Sequence, residues 1–384
     1  MDNKMRCTIK GRLYDLSSFR HPGGDAVFEI LRSRQTDPDL TNMLYLYHRD
    51  PESILSQILP KYEVYAVSIT YTDSTDFTNY MRLKRRVHEA IRERSLSTGW
   101  SSMEWAIHGI ILGVYLIMWC LYLSRPTWWS AIGLALIVSW WGSNIVHEVS
   151  HRVGWTGRRA NLMRILENIA CPFLDADQWF YDHAYLHHSY TNTGKDPDVS
   201  SVDWVRFLPN GRWRAYHQYQ SAYLPLLATM TTFVKGVWPS VIHEINLASM
   251  MSFLVVLWCS RNDMMKFLVL FMLPGPLFIM PAMLNHVQHE CTLGEEHTDF
   301  LRHQLSTTIN YRTNWFTRLL SFNLDIQIEH HLFPNIAHST LRRVQDVVQG
   351  FCKEYNLPYL EKPSMWAAYR DFQSIFRQLG KKTI

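Results

Sequence analysis

Apolar residues in this chain are clumped rather than spread, and the clumps set its class. Met103 to Leu123 is an almost unbroken apolar run, opened by Glu104 and interrupted only by His108. Trp128 to Val146 is a second, after a hinge that holds Arg125 and Pro126. A third runs from Ile245 to Cys259 and a fourth from Phe267 to Leu284. A helix of about 20 apolar residues crosses a bilayer, so the pattern predicts four membrane spans, the third short enough to borrow from its flanks. The N-terminal stretch Thr8 to Val64 has no such run and reads as a small soluble unit. Ala66 to Tyr80, rich in Ser, Thr and Asp, reads as a linker, and the basic stretch Phe77 to Arg94 suits a helix lying on the membrane surface. The division predicted is 1–65, a linker and juxtamembrane helix over 66–102, and a membrane unit over 103–384. The fold class is mainly α, a four-span helical bundle with a histidine-rich cap and a small α+β N-terminal domain.

Charge orients the bundle. Arg82, Lys84, Arg85, Arg86, Arg92 and Arg94 precede the first run, whereas the tight loop after it offers only Arg125. Cationic loops stay in the cytosol, which places both termini and the 147–244 connection there. A net charge of +4 leaves no nucleic-acid footprint. The N-terminus lacks an apolar signal core, so no cleaved secretory signal is expected and the first span serves as the membrane signal. Six cysteines without C-x-x-C spacing suit reduced thiols. The terminal Lys381-Lys382-Thr383-Ile384 looks like a dilysine retrieval signal of endoplasmic reticulum membrane proteins. The 15 tryptophans and 16 methionines fit interface belts and bundle packing.

Histidines change the picture from a membrane bundle to a reactive one. His147 and His151 lie in HEVSH, His183, His187 and His188 in HAYLHH, and His330 and His331 in QIEHH, with His289 ahead of the last. Each cluster sits where an apolar stretch ends or the chain returns to water, and on the predicted topology all face one compartment. Imidazoles at i and i+4 leave one helix face. Their type admits zinc, copper, iron or nickel, but their number, with Gln327 three residues before His330, exceeds what one ion takes and suits two. HEVSH also matches the H-E-x-x-H zinc protease signature with Glu148 as general base. That reading leaves the later histidines without purpose. His286 faces away from His289 on a helix and reads as a surface or hydrogen-bonded side chain. His108 reads as an interface contact or core hydrogen bond, and His88, His217, His243, His297, His303 and His338 as structural or exposed.

The N-terminal unit carries its own signature, Leu13-Tyr14-Asp15 followed by Phe19 and His21-Pro22-Gly23-Gly24. An imidazole at a sharp glycine turn lets backbone approach a flat ligand, and His48 closes an apolar patch downstream. These residues resemble the cytochrome b5 family, which implies haem b with His21 and His48 as axial ligands.

Residues 103–384 resemble the membrane fatty acid desaturases. The three histidine boxes carry the resemblance, with Trp179 four residues before His183, the Tyr190-Thr191-Asn192…Asp196-Pro197-Asp198 tail, and Gln327-Ile328-Glu329-His330-His331-Leu332-Phe333-Pro334. Gln opening the third box, together with the fused N-terminal unit, points to the front-end type, which desaturates between an existing double bond and the carboxyl end. The resemblance implies two iron ions held by His147, His151, His183, His187, His188, His289, Gln327, His330 and His331. It also implies Asn285 as a water-bridging group and Glu148 as a residue that orients a ligand histidine. O2, a fatty acyl substrate on coenzyme A or phospholipid, and NADH through cytochrome b5 reductase complete the implied reaction. A sphingoid-base desaturase or a lipid hydroxylase shares these boxes. A membrane haem or metal protein without turnover is the reading from another class, and no box histidine is missing to favour it.

Overall fold

The computed structural model describes residues 5–22, 27–28, 30–31, 38–64, 75–151, 158–171, 173–200, 203–231, 233, 247–321 and 323–382. His243, much of the predicted linker, Gly23, Gly24, Thr383 and Ile384 lie outside them.

Strands β1 (Arg6–Ile9) and β2 (Arg12–Asp15) pair antiparallel through a two-residue turn. Lys10 and Gly11 both take left-handed backbone there (φ 51° and 72°), the turn whose twist suits a hairpin. Helix α1 (Thr41–Tyr47) follows. Cys7, Ile9, Tyr14, Leu31 and Leu44 make a core that also takes in Phe180, Ala184 and Tyr185 from the second histidine box. The N-terminal residues therefore close onto the later chain rather than on themselves alone.

Helix α2 (Thr78–Glu93) does not lie free on a membrane surface as expected. Its Tyr80, Leu83, Val87 and Ile91 recur at helical spacing and are buried with Phe300, Phe333, Val344 and Val348. Arg86 and Arg94 pair with Glu354 and Asp346 on the far side of that seam. Because these pairs are solvent-exposed they add little stability. The apolar stripe fixes the helix, and its basic face is what remains outside.

Helix α3 (Ser102–Ser124) starts with a capping box. The Ser101 backbone N–H donates to Glu104 Oε2 at 2.7 Å, and the Glu104 N–H donates to Ser101 Oγ at 3.3 Å. That explains an acid at the mouth of an apolar run. After the hinge come α4 (Trp128–Ile137), a π-helical turn (Val138–Gly142) and α5 (Ser143–Ser150). The chain continues through α6 (Arg158–Ala170), α7 (Gln220–Ala228), α8 (Leu247–Cys259), α9 (Met264–Met272) and α10 (Pro274–Met283). The cap is completed by α11 (Phe300–Thr307), α12 (Gln327–Leu332), α13 (His338–Glu354) and α14 (Met365–Leu379), with a short parallel pair β3 (Asn310–Tyr311) and β4 (Glu361–Lys362).

Among the described residues three helical stretches are long and apolar enough to cross a membrane: Ser102–Ser124, Trp128–Ser150 and Met264–Met283. This is a membrane protein. The third predicted span is observed only as the 13 residues of α8, about 20 Å at ~1.5 Å per residue against a ~30 Å hydrocarbon core. The α3–α4 and α8–α9 turns meet, with Tyr122 Oη 2.6 Å from Ser260 Oγ and Lys266 over the Trp128 ring. Helices α4–α5 and α9–α10 run back from that shared end, and both deliver their C-termini to the histidines.

Gly142 sits where α5 begins, and a Cβ there would strike the Ala170 carbonyl oxygen of α6. Gly142→Ala should therefore cost about 1–3 kcal/mol by overpacking, seen as a lower thermal midpoint in detergent. Gly109→Ala on α3, where nothing lies within 4 Å, should leave the midpoint unchanged or raise it by the helix propensity of alanine.

Candidate metal centre

The first box comes from the end of a buried helix: His147 lies in α5 and His151 at its C-cap. The second lies in a π-helical stretch, Phe180–His187, with His188 just after it. Such wide turns are rare and concentrate at functional sites. Here the His183 and His187 rings stack at 5.2 Å and 15°. The third box is the short helix α12, all of it buried.

These segments bring the imidazoles into two adjoining groups. His147, His151, His183 and His330 place ligand atoms within 4.8 Å of one another, and so do His187, His286 and His331. His188 stands between them, its ring 4.3 Å from His151, 4.8 Å from His330 and 4.1 Å from His331. Asp198 joins His183 and His187 in a third, overlapping group.

Outer hydrogen bonds set the tautomers. Tyr47 donates its hydroxyl to the Ala184 carbonyl at 3.0 Å, so its oxygen accepts from His151 Nδ1–H at 2.8 Å. Gln304 donates Nε2 to the His188 carbonyl at 2.9 Å, which turns its Oε1 to accept from His331 Nδ1–H at 3.0 Å. His187 Nδ1 lies 3.0 Å from Asp196 Oδ2, and His286 Nδ1 3.2 Å from the Thr307 carbonyl. In each case the second ring nitrogen is left to the interior. His151 Nε2, His331 Nε2 and both nitrogens of His183, His188 and His330 are buried without a hydrogen-bond partner among the described residues. Burial, and then crowding by neighbouring rings, holds His151, His183, His188, His330 and His331 well below the ordinary imidazole range and takes His286 down to about 3. The rings are neutral, as ligation requires. A buried, unpaired polar atom is costly, and so many together fit metal ions as the missing partners.

Several expectations change. His289 is exposed, with Nδ1 2.6 Å from Asp371 Oδ1, and stands apart from both groups. Its assignment assumed a helix through Asn285 and His289, but α10 ends at Met283. His286 occupies the place instead, its ring 4.7 Å from both His187 and His331. Gln327 points into that second group, its Nε2 3.2 Å from His286 Nε2. Asn285 anchors through Nδ2 on the Leu324 carbonyl at 3.0 Å, and its buried Oδ1 has no partner among the described residues. Glu148 binds His338 Nδ1 at 2.7 Å and also accepts from Trp100 Nε1, so neither carboxylate oxygen is free to serve as a protease base. His338, expected to be structural or exposed, stacks on His330 at 4.9 Å and 16°. The remaining contact, Trp141 Nε1 to His108 Nδ1 at 3.2 Å, is the core hydrogen bond expected of His108. Glu329 is buried and raised to about 7 by that burial, against hydrogen bonds from Tyr359 and Asn310. Nothing in the sequence marks Tyr47, Gln304 or His338 as partners of the boxes, since each lies far from its box in the chain.

Two further features belong to the site. A cavity of about 140 Å³ borders His147, His183, His187, His286 and Gln327 and is otherwise lined mainly by apolar side chains such as Val199, Phe207, Leu224, Phe278 and Met283. Trp179 stacks on His183 at its wall (4.7 Å, 18°). Separately, His21 Nε2 faces His48 Nε2 at 3.5 Å, a little under the roughly 4 Å of two ~2 Å metal–nitrogen bonds end to end. Phe19 and Phe28 stand edge-on to His21. His48 Nδ1 lies 3.2 Å from the Leu44 carbonyl, and burial, with His21 adjoining, lowers His48 to about 4.

The two neighbours in the 284–290 turn give opposite expectations. His286→Ala should lower the metal bound per chain in detergent-purified protein, read by mass spectrometry of the elements. His289→Ala, which removes only an exposed pair worth about 0–1 kcal/mol, should leave the metal content unchanged.

Comparison with known proteins agrees with this geometry. The chain is 26% identical to an acyl-lipid (8-3)-desaturase of Mortierella alpina over 97% of this chain and 93% of that protein. It is 26% identical to fatty acid desaturase 3 of Bos taurus, over 94% and 86% respectively. An acyl-lipid (8-3)-desaturase of Physcomitrium patens is 24% identical over 97% of this chain and 87% of its own length. The family model described as fatty acid desaturase matches residues 124–363. That span takes in every box histidine, and the chain belongs to the fatty acid desaturase family.

Proposed function

We propose that this protein is a front-end acyl-lipid desaturase with two iron ions at its histidine cage. The observation that carries the reading is the meeting of two groups of buried imidazoles at the wall of an apolar cavity, with ring nitrogens of His151, His183, His330 and His331 left without a partner among the described residues. His147, His151, His183 and His330 would hold one ion and His187, His286 and His331 the other, with His188 between them and Gln327 beside the second. Iron bound there supplies O2 activation strong enough to take two hydrogens from neighbouring methylene carbons, which no side-chain acid or base can do.

The chain's own residues do the rest. Val199, Phe207, Leu224, Phe278 and Met283 exclude water and hold a methylene chain by apolar contact alone. Asp196, Gln304, Tyr47 and the Thr307 carbonyl fix the rings so that their lone pairs meet the ions, and outer partners of this kind sustain affinity. Trp179 keeps His183 from rotating into the cavity. His21 and His48 fit the axial positions of a haem, which would relay single electrons from NADH through a separate reductase. With the basic segment around α2 on the same side as the cage, the cap belongs in the cytosol.

Yeast expressing the chain and fed polyunsaturated fatty acids should show, by gas chromatography of total lipids, a new double bond on the carboxyl side of an existing one. A new double bond or hydroxyl in sphingoid bases alone would move the assignment to that substrate class, and no product of either kind would end it. His187→Ala should abolish the product while the protein still accumulates in membranes. Purified protein should show a Soret band that His48→Ala removes; a wild-type protein without that band has no haem.

A further inference from the structure

Tyr47 stands at the junction of the two histidine sites. Its hydroxyl accepts from His151 Nδ1–H at 2.8 Å and donates to the carbonyl of Ala184, the residue after His183, at 3.0 Å. Its ring lies nearly parallel to that of His151, at 6.3 Å and 16°. The next residue in the chain is His48, whose Nε2 faces His21 Nε2 at 3.5 Å. The paired histidines of the N-terminal unit and the first box are thus joined through adjacent residues of chain, Tyr47 and His48, and one hydrogen bond.

The strand of chain that makes this junction is clamped. A helix leaves its last carbonyls without partners, and most helices turn them to water. Here four consecutive carbonyls at the end of α1 are taken by side chains from elsewhere. The buried Lys84 donates Nζ to Leu46 O at 3.1 Å, to His48 O at 2.7 Å and to Tyr45 O. Asn335, just past the third box, donates Nδ2 to Tyr47 O at 3.1 Å. Asn42 on the same helix donates to the Ser189 carbonyl at 2.7 Å, one residue after His188. The N-terminal unit is therefore seated on all three boxes rather than tethered to swing against them.

We propose that Tyr47 is the positioning residue through which electrons pass from the N-terminal unit to the metal cage, its hydroxyl holding His151 against the segment that carries His48. The inference rests on the haem and iron assignment above. Each passage would move one electron: a haem held by His21 and His48 would be oxidised from ferrous to ferric, and an iron held by the cage would be reduced from ferric to ferrous by the same electron. The flavin of an NADH-dependent reductase refills the haem, and two passages deliver the pair that desaturation consumes. Tyr47 itself is neither oxidised nor deprotonated.

The test uses full-length protein loaded with haem and iron, under argon, with the haem reduced by a flash-excited flavin and its reoxidation followed at the Soret band. In Y47F, which keeps the ring and removes the hydroxyl, reoxidation should slow severalfold. Because Tyr47 also orients His151, rates are compared at equal iron loading, restored with added ferrous iron where Y47F holds less; haem content and the rate of haem reduction by the reductase should match wild type. Y47L should be at least as slow. Reoxidation of Y47F at the wild-type rate overturns the proposal, as does slowing that disappears once iron loading is made equal. A wild-type protein with no Soret band fails earlier, at the haem assignment, and so is told apart from failure of the Tyr47 route.

Discussion

Imidazoles buried and crowded into one cage are the constraint around which this molecule is built. A buried ring nitrogen left without any partner costs on the order of 1–3 kcal/mol. The cage gathers many of them, so the fold without ligand carries a large local debt that metal binding relieves. Folding and metallation are linked for that reason. The outer hydrogen bonds from Tyr47, Asp196, Gln304 and Thr307 keep the arrangement from collapsing into ring-to-ring hydrogen bonds, because they tie up one nitrogen and aim the other.

The membrane helices serve that cage by geometry. Two hairpins meet at one end through Tyr122 and Ser260 and open toward the histidines at the other. The second spanning stretch widens into a π-helical turn below His147, and the second box is itself π-helical. Both irregularities sit where ordinary helical pitch would have pointed the rings elsewhere. Gly142 lets α5 and α6 approach closely enough for the first box to reach the second. On the outward side, Met103, Ile110, Ile117 and Trp258 are exposed apolar residues, which a bilayer covers at no cost in water contact.

Cap and N-terminal unit are one packed body in this chain. Phe180, Ala184 and Tyr185 serve the second box on one side of their helix and the N-terminal core on the other. Helix α2 carries the same logic. A basic helix before a membrane span suggests lipid headgroups, yet its stripe of Tyr80, Leu83, Val87 and Ile91 belongs to the seam with α13. Charge patterning described the face that remained in water and said nothing of the partner on the other face.

Chain pattern alone marked the membrane class and the first two spans, and it picked out the seven box histidines and the His21 and His48 that the fold brings together, because apolar length and residue type are local properties. Local reasoning failed where the backbone left regular helix. Helical spacing from Asn285 favours His289 over His286, but the helix stops at Met283, and the irregular turn after it places His286 inward and His289 out at Asp371. Glu148 with His338, Gln304 with His331 and Tyr47 with His151 were invisible for a different reason: each pair is joined by more than 25 residues of chain, separated in sequence by 190, 27 and 104 positions. Only packing of distant segments decides such partners, since a hydrogen bond inside a protein depends on where the backbone returns and not on what neighbours it along the chain.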